Sequence, residues 1–228
     1  MSSRMRIVVT AGNGGVSHVI PLIPVATLLA DRGHDVSFAV PERLVAAARA
    51  TGLRTDILPT TPVSALPLES GAGPWRPPTV ERARTTVARY LREAVTMAPG
   101  LTAIGRERSA DLIVRETAAW AGWLTGRLLQ RPVVLVDYAP MPDRLLRATL
   151  GDLFDATARA AGLNPADGRA VGGDLRLLIG PRRWFGERVL SSATHVLQPP
   201  PRPAAPSPEW VAALGAAGRP VAYVTFGS

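Results

Sequence analysis

Met5-Arg6-Ile7-Val8-Val9-Thr10 runs into Ala11-Gly12-Asn13-Gly14-Gly15-Val16-Ser17-His18, and residues 19–29 then turn strongly apolar. The first segment is a short apolar run without polar alternation, the pattern of a strand buried on both faces. The glycines of the second mark a tight turn, and the third segment reads as a helix. In open parallel sheets, ligands bind at the carboxyl ends of the strands, where such turns meet helices. This turn ends on His18, and histidine is the side chain type that exchanges protons near neutral pH. His18 is therefore a candidate general base. A structural or helix-capping histidine is the alternative reading of the same residue.

The remainder of the chain repeats the alternation. Strand-like segments fall at 6–10, 35–40, 55–58, 111–114 and 133–136, with helical patterns at 20–31, 42–50, 80–97, 118–129 and 144–161. In the third helix Val80, Ala83, Val87, Leu91, Ala94 and Val95 form one apolar stripe at spacings of three and four. Strand–helix–strand order of this kind predicts an α/β fold, a doubly wound, Rossmann-like parallel sheet. Residues 59–78 are rich in proline and glycine without a period, too long for a routine connection. Residues 199–208 hold Pro199-Pro200-Pro201, Pro203, Pro206 and Pro208, the composition of a semi-rigid linker. The expected organisation is a domain over 1–198, a linker over 199–208, and the start of a second domain over 209–228. The last segment ends in Val221-Ala222-Tyr223-Val224-Thr225-Phe226-Gly227-Ser228, again a strand entering a glycine turn.

Composition narrows the chemistry. Hydrophobic residues make up 46% of the 228, enough to bury a core. Cysteine is absent, which removes thiolate nucleophiles, thiolate metal sites and disulfides. Lysine is absent too, so all 26 basic residues are arginine, and neither a Walker A loop nor lysine Schiff-base chemistry is open to this chain. The net charge of +8 comes from arginines spread singly along helices, without a dense run or interleaved aromatics, so no nucleic-acid partner is expected. The apolar stretch at 19–30 contains Pro21 and Pro24 and is shorter than the ~20 residues of a transmembrane helix. No membrane span is expected, and the cytoplasm is the expected location.

Gly12-Asn13-Gly14-Gly15-Val16-Ser17 fits G-x-G-x-x-S rather than a full dinucleotide fingerprint, whose last glycine permits close helix–strand packing. The first acidic residue after the second strand, Glu42, also lies further along than a ribose-binding carboxylate. A nicotinamide enzyme is thus a weak match. His34 reads as a turn residue and His195 as part of a late strand. Three dispersed histidines form no metal-binding spacing.

The opening strand, His18-Val19-Ile20-Pro21-Leu22, and Leu28-Leu29-Ala30-Asp31-Arg32-Gly33-His34-Asp35-Val36 together resemble the start of family 1 glycosyltransferases of the GT-B fold. The likeness is strongest to bacterial enzymes that glycosylate polyketide and other natural-product aglycones. It continues at Asp111-Leu112-Ile113-Val114-Arg115-Glu116-Thr117, at Pro208-Glu209-Trp210-Val211-Ala212-Ala213-Leu214 and at 220–228, which resembles the strand opening that family's C-terminal domain.

The resemblance implies an inverting transfer from a nucleotide-diphosphate sugar to an acceptor hydroxyl, with no other cofactor and no metal. It places the catalytic base at His18. Glu116 falls where the family has an aspartate that orients this histidine, one methylene shorter. The other reading of Glu116 is a surface acid capping the following helix. Gly14, Gly15, Trp75, Trp120 and Tyr138 are candidates for contact with a small hydrophobic aglycone; Gly227 and Ser228 resemble the beginning of donor contact. The tryptophans and Tyr138 are equally readable as core or interface aromatics.

The family's later donor motif has no counterpart within these 228 residues, so the chain alone is expected to be catalytically silent. Three readings stay open: an acceptor half of a longer enzyme, a half-enzyme that docks on a separate donor-binding subunit, and a non-catalytic small-molecule-binding accessory protein. A separate donor-binding domain or a homo-oligomer is the expected protein partner.

Overall fold

Arg6–Thr10 forms strand β1, and every residue of it after Arg6 is buried. In a computed structural model of the chain, which describes residues 4–60, 79–138, 143–165, 173–180 and 193–197, β1 lies near the middle of a seven-stranded sheet. The other strands are β2 (Asp35–Pro41), β3 (Arg54–Leu58), β4 (Leu112–Glu116), β5 (Val133–Asp137), β6 (Leu175–Ile179) and β7 (Thr194–Leu197). Their order is β3-β2-β1-β4-β5-β6-β7 and every pairing is parallel. The expected doubly wound α/β class is the observed one. Strand order reverses direction between β1 and β4, so the crevice for a ligand opens at the carboxyl ends of these two strands.

Side-chain alternation divides the core into two layers. Ile7 and Val9 of β1, with Val36, Phe38 and Val40 of β2 and Val114 of β4, pack against α1 (Ile23–Asp31) and α2 (Val45–Arg49). Val8, Ala39 and Ile113 point the other way, against α3 (Val80–Glu107), α4 (Trp120–Leu129) and α5 (Asp143–Ala160). Two glycines let α4 lie close to the sheet. A Cβ on Gly122 would sit 2.9 Å from Arg115 Cβ and from Thr10 Cγ2, and one on Gly126 would sit 2.1 Å from Val133 Cγ2. That close approach holds α4 against β4, the strand that ends on Glu116.

The largest departures from the sequence expectation are in the first three helices. The first helix begins at Ile23 rather than at residue 20, after a 3-10 turn at Val16–His18. Pro24 then stands in the opening turn of α1, where its missing N–H goes unneeded. The segment expected as one helix at 42–50 is a 3-10 turn, Glu42–Leu44, followed by the short α2. The third helix continues past residue 97 through Pro99 to Glu107, 28 residues and about 42 Å long. Packing against α4 and α5 outweighs the one backbone hydrogen bond that a proline removes. β6 was absent from the expected elements, whereas the strand containing His195 is present as β7.

Residues 199–208 and 209–228 lie outside the described residues, as do residues 61–78, Trp75, Gly227 and Ser228. Among the described residues, no helix is long and apolar enough to cross a membrane. None of them forms a cluster of three or more potential metal ligands.

Candidate active site

Three strands deliver the site. The loop after β1 brings His18, the last residue of β4 is Glu116, and the residue following β5 is Tyr138. β1 and β4 are hydrogen-bonded neighbours, as are β4 and β5. All three side chains therefore converge at the carboxyl edge, at the reversal of strand order.

Glu116 is fully buried and its carboxylate is fixed by backbone. Gly12 N–H donates to Oε1 at 2.9 Å and Ala118 N–H donates to Oε2 at 2.7 Å. The Ala118 N–H lies ahead of α4, whose N-cap Ala119 has no side-chain cap hydrogen bond, so Glu116 is neither a helix cap nor a surface acid. Gly12 must be glycine for this arrangement, because a Cβ there would come within 3.0 Å of Glu116 Oε1 and of the Ala118 carbonyl oxygen. Two anchored oxygens hold the extra methylene of glutamate in one place, and it reaches the histidine: His18 Nδ1 is 3.2 Å from Glu116 Oε1.

The Tyr138 hydroxyl donates to Glu116 Oε2 at 3.1 Å and also stands 3.2 Å from His18 Nδ1. Its ring meets the imidazole edge-on, at 85° with centroids 6.3 Å apart. Burial first, then the neighbouring Glu116 charge, raises the Tyr138 phenol well above its ordinary range, so it stays a neutral hydrogen-bond donor.

With Nδ1 turned inward, the opposite edge of the imidazole faces the glycine turn. His18 keeps 18% of its side-chain surface exposed, against none for Glu116. Gly14 borders that edge, Gly15 is exposed, and the Gly15 carbonyl accepts from His18 N–H at 3.0 Å. A carboxylate on one ring nitrogen is the arrangement a general base needs, and the other nitrogen lies beside Gly14.

Two further groups complete the surroundings and were not singled out from sequence. Glu93 of α3, half-buried, accepts from the Asn13 side-chain amide and so fastens the glycine turn to α3. Burial raises the Glu93 carboxyl above its ordinary range, although Asn13, Arg43, Arg89 and His18 each pull the other way. Its signal in the sequence was a carboxylate set between Tyr90 and Met97 at helical spacing, on a face that is otherwise largely apolar. Asp137, the last residue of β5, accepts from Thr117 Oγ1 at 3.0 Å and lies 3.6 Å from Arg176 of β6.

Trp120 stands apart from the crevice. It is 92% buried in the α3–α4–α5 layer, tilted against Phe154 at 5.0 Å with the Arg115 guanidinium 4.8 Å from its ring centre. The structure thus gives Trp120 the core role rather than the acceptor-lining one. Arg115 and Glu116, adjacent on β4, face opposite layers, and this alternation keeps the guanidinium away from the histidine.

The fold and this crevice define a class, the doubly wound half of a GT-B-type structure. No protein-family model and no curated protein sequence matches the chain. Solved structures do match. SsfS6, a glycosyltransferase of Streptomyces sp. SF2575, aligns with a TM-score of 0.64 at 20% identity over 88% of this chain and 56% of its own. The glycosyltransferase SnogD of Streptomyces nogalater aligns at 0.64 and 23% identity over 91% of this chain and 55% of its own. The calicheamicin glycosyltransferase CalG4 aligns at 0.62 and 18% identity, over 90% and 57%. The chain spans little more than half the length of each. Likeness at this identity establishes the shared fold, in agreement with the GT-B expectation.

Proposed function

We propose that this chain is the acceptor-binding half of a nucleotide-sugar-dependent glycosyltransferase, acting on a hydroxyl of a small, largely apolar natural product. The observation that carries the reading is His18 held by Glu116 at the strand-order reversal. A fold alone would not, since one fold serves many chemistries. The structural neighbours are glycosyltransferases, and VinC among them is described in complex with dTDP, which supports a nucleotide-diphosphate sugar as the donor.

In the reaction so written, His18 Nε2 takes the proton from the acceptor O–H. The freed oxygen lone pair forms a bond to the anomeric carbon from the face opposite the leaving group. The bond between that carbon and the diphosphate oxygen breaks, and the diphosphate departs with its electron pair, inverting the centre. Glu116 keeps Nδ1 protonated and stabilises the imidazolium while it lasts. Negative charge building on the diphosphate requires donors from a second lobe, where a helix N-terminus serves. The scheme is written without a metal and needs no cofactor beyond the sugar nucleotide. Gly14 and Gly15 would border the acceptor, Trp75 would add an apolar wall, and Gly227 and Ser228 would begin the donor contacts.

Holding donor and acceptor in reacting geometry supplies up to about 7–11 kcal/mol of barrier reduction. A chain that positions the acceptor alone forgoes most of this. It should be silent until a donor lobe is provided, by continuation of the chain or by a partner subunit, in a cytoplasmic setting. The test is sugar transfer by the chain joined to, or mixed with, a GT-B donor domain. Acceptor binding without transfer under any such complementation would favour the accessory-protein reading instead.

A further inference from the structure

Tyr138 was expected to touch the acceptor, yet its hydroxyl is turned to the histidine and the glutamate. We propose that Tyr138 is a positioning residue: its hydroxyl bridges His18 Nδ1 and Glu116 Oε2, so that the base is oriented through a His18–Tyr138–Glu116 relay as well as by the carboxylate. The inference deepens the proposed function and rests on it for the role of His18.

Two contacts reach Nδ1, each at 3.2 Å. The approach of Glu116 Oε1 is a charge contact, whereas that of Tyr138 Oη has hydrogen-bond geometry. A phenol has one proton and here two claimants, His18 Nδ1 at 3.2 Å and Glu116 Oε2 at 3.1 Å. The carboxylate is the stronger acceptor, because a hydrogen bond to an ionised group is roughly twice as strong as a neutral one. The proton therefore goes to Glu116, and the phenol oxygen is left with lone pairs facing Nδ1.

An N–H is then required at Nδ1, and the neutral imidazole has its free lone pair at Nε2, the edge beside Gly14. Glu116 cannot impose this alone with the same rigidity. Its Oε1 already accepts Gly12 N–H and its Oε2 accepts Ala118 N–H. The carboxylate is oriented for those backbone donors, and the phenol converts its fixed Oε2 into an acceptor aligned with the ring. The role also accounts for a tyrosine at the end of β5, one strand beyond the histidine–glutamate pair.

The experiment reads the ring directly. The tautomer of His18 is measured by long-range proton–nitrogen NMR in the 228-residue chain, with His34 and His195 as internal references, for the wild type, Tyr138→Phe, Glu116→Gln and the double variant. The proposal expects Nδ1–H to dominate in the wild type and Tyr138→Phe to raise the Nε2–H population several-fold. It also expects this rise to be much smaller when Glu116→Gln is already present.

With a donor lobe supplied, Tyr138→Phe should lower kcat by about 10- to 100-fold, below the 10²–10⁴ that a general base itself contributes. The KM for acceptor should stay within about twofold. A wild-type ring protonated at Nε2, or a Tyr138→Phe ring indistinguishable from wild type, overturns the relay, and a raised acceptor KM in that variant would return Tyr138 to the pocket wall. Absence of transfer by the complemented wild type would count against the function alone, since the ring spectrum still decides the relay.

Discussion

Gly14 lies against the His18 imidazole so closely that a Cβ at this position would sit 1.9 Å from Cδ2 and 2.1 Å from Nε2. Both distances are far inside van der Waals contact, so no side chain fits unless the ring moves. Glycine is needed here for space beside a ring, not for an unusual backbone angle. Gly14→Ala should turn His18 away from Glu116 and Tyr138. The expected outcome is loss of transfer by at least about 100-fold, the lower end of what a general base supplies, with a melting temperature close to wild type. A Gly14→Ala chain with full activity once complemented would show that the ring works from another position.

Glu116 also anchors backbone, accepting from Gly12 and Ala118. Removing its carboxylate by Glu116→Ala strands the buried N–H of Gly12 and frees the half-buried N–H of Ala118, and an unsatisfied buried donor costs about 1–3 kcal/mol. Chemical denaturation should therefore show a loss of at least about 1–3 kcal/mol for alanine. Glu116→Gln retains one acceptor oxygen and should lose less. Glu116→Asp shortens the reach by one methylene from a fixed backbone, so it should disturb the Gly12 and Ala118 contacts while still carrying charge.

Glu93 ties the glycine turn to α3 through Asn13. Because burial raises its carboxyl in the folded state, the folded chain binds this proton more readily than the unfolded one. Folding is thus favoured as pH falls through the carboxylate range, and ionised Glu93 weighs against the fold at neutral pH. Glu93→Gln, which keeps a hydrogen-bonding partner for Asn13 without the charge, should raise the melting temperature at pH 7 and reduce the difference at pH 4. An unchanged melting temperature at both values would contradict the burial argument.

Arg6 and Asp111 clip β1 to the entry of β4 at the far end of the sheet, through a two-point guanidinium–carboxylate pair and the Arg6 backbone N–H. The Arg6 side chain, followed by its backbone N–H, pulls the Asp111 carboxyl from 3.8 down to about 2. A depressed carboxyl stabilises the fold at pH above its unfolded value, and that contribution disappears as pH falls from about 4 towards 2. Asp111→Asn should flatten the acid limb of the stability curve between those values and leave its shape above pH 5 unchanged. The pair is solvent-facing, so salt should weaken the effect.

How far the sequence reaches is visible at particular residues. β1, its glycine turn and His18 were legible because they are contiguous and the strand is apolar on both faces. The partner at Glu116 is 104 residues from Gly12, and local pattern cannot supply such a pairing; it came from resemblance. The direction of the Tyr138 hydroxyl was not legible at all, since it depends on β5 lying beside β4. The third helix was expected to end at residue 97, whereas α3 continues through Pro99 and is braced by α4 and α5. β6 was missed because Arg176 breaks its apolar run, and that arginine is paired with Asp137 only after the sheet has formed.

The central claim is that His18 deprotonates an acceptor hydroxyl for sugar transfer. The most direct measurement is the single-turnover rate of transfer by the chain complemented with a donor domain, wild type against His18→Ala, at saturating acceptor. The account predicts a rate lower by about 10²–10⁴ in the variant, with acceptor binding preserved. A rate for His18→Ala within a few-fold of wild type would contradict it.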